Sequence, residues 1–308
     1  MLFNSKSKPN KILRAWAFYD WANSVYPLVI STAVFPIYYG TLFIDSEFVE
    51  IFGINYKNTA LIQHVTTLVF LFLAFLVPLM SGVADFLGNK KSFMKLFVYI
   101  GSFSCMGLYF FDLNNIYLGL LFYFFALFSF WASLVFYNSY LPDIALPEEQ
   151  DNASALGYSY GYVGSVILLL VNLFMINKPD LFGFEKSDQG SIDAMKVSFL
   201  TVGLWWLIFS QYTFYYLPQK KNNVNKKDVL KKSFLFSGFN KLIQVWKLMK
   251  NDSYIRKFLL AFFTFSTAVQ TIILIATYFG DQEIIWGEGE KLFGLILSML
   301  LIQLIAII

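Results

Sequence analysis

Few residues in this chain have the type and spacing to do chemistry, and the first of them stand in an apolar run, 16–27, reading WAFYDWANSVYP. At 100° per residue, Trp16, Asp20, Asn23, Pro27 and Ser31 fall on one helical face, with Ser24 beside it. Ionisable groups within spanning segments are rare and usually face a bundle interior or a wet cavity. Asp20 lies six residues beyond Arg14, about 9 Å along a helix. That depth suits an inner gate or a proton-linked site better than a central substrate pocket. The structural alternative is that Asp20 bonds a neighbouring helix or snorkels toward water.

Other candidates are sparser. Tyr137 and Asn138, near the end of a later apolar run, are possible cavity or gate residues, and Gln270 needs a polar partner within its own run. Gly157 and Gly161 form a close-packing pattern, extended by Gly164. His64 reads as an interfacial residue rather than a proton carrier. One Cys, at 105, excludes a disulfide within the chain and a Cys-based metal site. One His leaves no Ser/His/Asp set, so no catalytic residue and no metal ligand are expected. No phosphate-binding loop is visible, so ATP is not the expected energy source, and no cofactor is expected.

The elements that must carry these residues are apolar and long. Hydrophobic residues make up 57% of the chain and charged ones 14%, with a mean hydropathy of +0.58, against about 25% charged in soluble domains. Charge-free windows recur at 21–44, 58–84, 113–142, 152–177, 197–219 and 258–280, with shorter ones at 96–111 and 292–308. A spanning helix needs about 20 such residues. The pattern predicts an all-α polytopic membrane protein with helices near 15–43, 59–82, 92–111, 116–140, 153–176 and 196–217. A seventh helix begins near Ile255, and an eighth ends with the chain. Six helices form an N-terminal bundle over 1–217, a basic linker spans 218–254, and 255–308 starts a second bundle.

Orientation follows from the lysines and arginines. Segments 1–15, 85–95, 141–153 and 218–257 hold 4, 3, 0 and 11 of the 23, leaving five for the opposite side. Positive residues mark cytoplasmic loops, so the N-terminus is expected inside. The segment 141–153 is the exception, carrying Asp143, Glu148, Glu149 and Asp151 without a basic residue. The linker is read as a positive-inside determinant touching anionic headgroups, not as a nucleic-acid surface.

The turn after the second helix reads PLMSGVADFLGNKKSFM over 78–94. Small residues let helix ends approach, Asp85 sits at the lip, Gly88 permits a sharp turn, and Lys90 and Lys91 anchor it. This hairpin resembles the loop 2–3 signature of the major facilitator superfamily, with Asp85, Gly88 and Lys90 matching. Ser81 stands for a glycine, and Phe86 and Asn89 for basic residues. The stretches 15–39 and 136–162 resemble the group containing the autophagy-related vacuolar amino-acid effluxers and their bacterial relatives. The stretch 268–280 is similar to that group's seventh helix, with Ser266-Thr267 in place of an Asp-Gly pair.

The resemblance implies twelve helices in two bundles, so this chain is expected to be a fragment ending in helix eight. It implies a secondary transporter working by alternating access. The substrate is a small molecule, an amino acid or similar metabolite, exported or released, with proton coupling through Asp20 the first mechanism to test. A bacterial inner membrane is expected rather than a vacuolar one, and the oligomeric state stays open. A receptor or scaffold of seven or eight helices is the alternative.

Overall fold

A computed structural model describes residues 11–44, 47–219 and 252–282, with scattered positions between 243 and 294. The expected linker, apart from its ends and a few positions, and the expected eighth helix lie outside the described residues. Within them the chain is almost wholly helical. Five helices are long and apolar enough to cross a bilayer: Asn58–Ala84, Lys90–Phe110, Ile116–Ile144, Pro147–Asn177 and Asp188–Tyr216. This is an all-α polytopic membrane protein.

The first expected helix is one helical path in three pieces. Helix α1 covers Lys11–Asn23, a π-helical segment covers Tyr26–Val34, and α2 covers Phe35–Thr41. The two prolines explain the divisions. Each lacks an N–H and crowds the carbonyl one turn back; Pro27 stands in the first turn of the π segment and Pro36 in the first turn of α2. Thr32 Oγ1 donates to the Pro27 carbonyl at 2.7 Å, a further bond within the π segment. Widened turns of this kind gather at functional places in helices.

The following loop, expected only as an acidic connection, holds a hairpin. Strands β1 (Phe48–Ile51) and β2 (Ile54–Lys57) pair antiparallel, Phe48 opposite Lys57 and Ile51 opposite Ile54. Its two turn residues, Phe52 and Gly53, both have positive φ (51° and 78°), the backbone of a type I′ turn. Glu47 pairs with Lys57 at 3.5 Å.

Helix α3 (Asn58–Leu87) carries Pro78 within it and ends on Gly88. Gly88 has φ +64°, and Asn89 N–H returns to the Ala84 carbonyl at 2.9 Å, a left-handed stop that suits glycine. Helix α4 (Lys90–Gly107) and α5 (Ile116–Asn138) pack together extensively. A short α6 (Leu141–Ile144) precedes α7 (Pro147–Asn177) and α8 (Asp188–Tyr216). The latter two begin well before the apolar windows that announced them. Their starts are set by polar signals instead: Pro147 with Glu148 and Glu149 in the first turn, and Ser187 Oγ accepting from Gly190 N–H at 3.2 Å. Helix α9 (Ser253–Gln282) is capped by Asp252 Oδ1, which accepts from the Tyr254 and Ile255 amides. It packs on the π segment and α2, while α1 lies against α7 and α8.

Candidate functional site

Asp20 is 8% exposed, enclosed where α1 meets α5 and α7. Tyr137, in the last turn of α5, donates its hydroxyl to Asp20 Oδ2 at 2.8 Å. Two tryptophan and tyrosine contacts fix that hydroxyl. Trp16 stacks on the Tyr137 ring at 4.4 Å and donates its indole N–H to the Tyr137 carbonyl at 2.9 Å. Tyr19 packs against the same ring at 4.9 Å and donates its own hydroxyl to Ser133 Oγ at 2.9 Å.

The carboxylate fits because α7 has no side chain there. A Cβ on Gly157 would lie 2.5 Å from Asp20 Oδ2 and 3.2 Å from the Tyr137 hydroxyl. One turn on, a Cβ on Gly161 would collide with Ser24 Oγ, and one on Gly164 would press on the Trp21 ring and its carbonyl oxygen. The three glycines therefore make a groove in α7 that receives the polar edge of α1. Asn23 is enclosed; its Oδ1 accepts from Ser24 at 3.3 Å, and its side chain lies beside the Tyr19 hydroxyl. Trp206, on α8, lies close to the same hydroxyl.

Among the described residues no Lys, Arg or His pairs with Asp20. Ionisable residues within spanning segments are rare and usually face a bundle interior, as Asp20 does. No group of three or more His, Cys, Asp or Glu gathers among the described residues.

Just beyond Tyr137, three elements are tied together at one end of the bundle. Lys90 Nζ donates to the Ser139 carbonyl and to Asp143 Oδ2, both at 2.9 Å. Lys91 Nζ donates to the Leu217 carbonyl at 2.8 Å, and the Tyr140 hydroxyl to the Pro218 carbonyl at 3.1 Å. Gln219 Nε2 reaches Asn89 Oδ1 and Ser92 Oγ. The α3–α4 turn thus grips both the α5–α6 turn and the end of α8, just past Tyr137 along the chain.

Of the residues singled out by sequence, Asp20, Asn23, Tyr137 and the three glycines come together. Gly88, Lys90 and Lys91 form the neighbouring turn. Asp85 lies in the last turn of α3, its side chain outside what is described. Asn138 and Gln270 are exposed. Sequence reasoning missed Trp16 and Tyr19 as the residues that aim Tyr137, and Asp143 as the partner of Lys90. A signal for the last was present: the acidic 141–153 segment without one basic residue sits across from a lysine pair.

Comparison with known proteins decides the family. Residues 8–308 match the family described as "Vacuole effluxer Atg22 like". The chain belongs to that family. It is 30% identical over 296 residues to a protein of Bacillus subtilis (strain 168) named "Uncharacterized MFS-type transporter YxiO", covering 95% of this chain and 64% of that one. It is 29% identical over 178 residues to an uncharacterized protein of Aquifex aeolicus (strain VF5), covering 56% and 42%. It is 27% identical over 174 residues to "Autophagy-related protein 22" of Vanderwaltozyma polyspora, covering 50% and 32%. The chain thus spans less than two thirds of the length of these relatives. No solved structure matches it.

Proposed function

We propose that this protein is a secondary active transporter of the major facilitator type, moving a small metabolite by alternating access. The observation that carries the reading is Asp20. It is a carboxyl group enclosed within the helices and bonded to Tyr137, and the turn that follows Tyr137 is tied by Asp143 to Lys90. Such a carboxyl can gain and lose a proton as the bundle rocks. The adjacent ties, made by one lysine to a half-exposed aspartate, are weak enough to break and re-form in each cycle.

In this reading the N-terminus is cytoplasmic, because the basic residues concentrate at that end, and the membrane is a bacterial inner membrane. Residues 1–217 form the first bundle, 218–254 a cytoplasmic linker, and 255–308 the start of the second bundle. Asp85, Gly88, Lys90 and Lys91 belong to the inner gate. Gly157, Gly161 and Gly164 hold α1 against α7. Asn23 is the polar neighbour of Asp20 on α1, while Asn138 on α5 and Gln270 on α9 are exposed and are kept as substrate contacts to be tested. An amino acid is the first substrate to try, as the resemblance to the vacuolar amino-acid effluxers implies, and the family's description as a vacuole effluxer supports export.

The test is efflux of a labelled amino-acid panel from proteoliposomes containing the full protein. Saturable release of at least one amino acid is expected. Absence of release for all of them, with release of another metabolite class, would refute the substrate and keep the transport reading.

A further inference from the structure

On the face of the bundle formed by α4 and α8, an open groove of about 530 Å³ is lined by Tyr99, Phe103, Leu207, Ile208 and Gln211. Helix α9 packs elsewhere, on the π segment and α2. Phe103 and Ile208 are each 60% exposed within it, as befits a surface wetted by hydrocarbon. Gln211 does not fit that solvent. It accepts from the Tyr99 hydroxyl at 3.3 Å and donates to the Leu207 carbonyl at 2.7 Å, leaving one amide N–H over.

The groove has a charged end. Lys91, Lys95, Tyr99 and Phe103 recur every four residues along α4, so they form one stripe. Lys91 and Lys95 are successive members of it, one helical turn apart. Among the described residues neither has an acidic partner: Lys91 bonds the Leu217 carbonyl, and Lys95 lies 5.4 Å from the centre of the Phe214 ring. Each step along the stripe is about 6 Å at 1.5 Å per residue, close to the depth of one interfacial layer, about 5–7 Å. The order from the lip inward is therefore two cations, a tyrosine with a glutamine, then apolar walls. That is the order of groups in a phospholipid: an anionic headgroup, ester carbonyls, an acyl chain.

We propose that the α4–α8 groove is a binding site for one anionic glycerophospholipid. Lys91 and Lys95 hold its phosphate and headgroup charge, Tyr99 and Gln211 meet its ester region, and Phe103, Leu207 and Ile208 cradle an acyl chain. Assignment to the cytoplasmic leaflet rests on the orientation proposed above; binding itself does not. Because Lys91 also bonds the end of α8, an occupied site braces α4 against α8 beside the gate.

Native mass spectrometry of the purified full chain, exposed to equal phosphatidylglycerol and phosphatidylcholine of matched chain length, tests this independently of transport or orientation. The wild type is expected to retain one phosphatidylglycerol in preference, on the order of tenfold. The double variant Lys91→Gln/Lys95→Gln should bring the ratio to near unity while still melting cooperatively. Lys178→Gln, at the far end of α7, should leave the ratio unchanged. Ile208→Trp, which fills the groove, should reduce retention of both lipids. Equal retention by the wild type, or an undiminished preference in the double variant, would overturn the proposal. So would displacement of the lipid by glycerol phosphate, which would make the occupant a free anion.

Discussion

Replacing Gly157 by alanine tests whether α7 was shaped around the Asp20 carboxyl. The new Cβ would stand 2.5 Å from Asp20 Oδ2, a distance no carbon–oxygen contact sustains. The cheapest relief is rotation of the carboxyl, which breaks the 2.8 Å bond from Tyr137. Losing that bond costs about 1–3 kcal/mol, while alanine in place of a helical glycine returns about 0.5–1 kcal/mol. The net is a loss of about 0–2.5 kcal/mol, up to about 5 °C in Tm at about 2 °C per kcal/mol for a chain this long. In an Asp20→Ala background the carboxyl is gone, so the same substitution should be neutral or stabilising. The coupling between the two positions should then be about 1–3 kcal/mol. Cys105 is the chain's one cysteine and is fully enclosed, so a thiol-reactive fluorogenic dye reports unfolding directly. A Gly157→Ala variant that loses as much stability without Asp20 as with it would refute the reasoning.

Three further outcomes are expected from the same contacts. Tyr137→Phe keeps the stacking on Trp16 but removes the donor to Asp20, and should lower stability by about 1–3 kcal/mol; its cost should not add to that of Gly157→Ala, and simple additivity would argue against a shared site. Gly161→Ala drives a methyl group into Ser24 Oγ, so Ser24→Ala should recover most of the lost melting temperature, and no recovery would place the clash elsewhere. Asp143→Asn loosens a tie whose lysine and aspartate side chains are 20% and 39% exposed, so it should cost under about 1 kcal/mol and less in high salt. A larger, salt-independent loss in melting experiments would show that the tie is structural rather than a contact made to open.

Hydropathy located the spanning helices because lipid leaves long runs without charge, and the middle of α5 fell where its apolar window put it. Helix starts were harder to read. The polar first turns of α7 and α8 continue the helix past the apolar window, and their start signals, Pro147 and Ser187, are single residues. The hairpin at 48–57 went unseen because its turn uses Phe52 at positive φ, where Asn or Gly is the usual sign. Periodicity put Asp20 and Asn23 on one inward face, and both are enclosed. It could not show that Tyr137 rather than Asn138 meets Asp20, since adjacent residues on a helix point about 100° apart and the choice depends on how α5 is rotated. Lys90's hold on Asp143 spans 53 residues, a pairing that only the packed bundle creates.

The central claim is that Asp20 carries the proton that couples transport to a gradient. Proteoliposomes containing the full protein, loaded with a pH-sensitive dye and given the amino acid found to be transported, measure proton and substrate movement together. The wild type should move protons with substrate and accumulate substrate under an imposed pH gradient. Asp20→Asn should still exchange labelled for unlabelled substrate but move no protons and ignore the gradient. An Asp20→Asn protein that transports with unchanged pH dependence and unchanged proton movement would contradict the account.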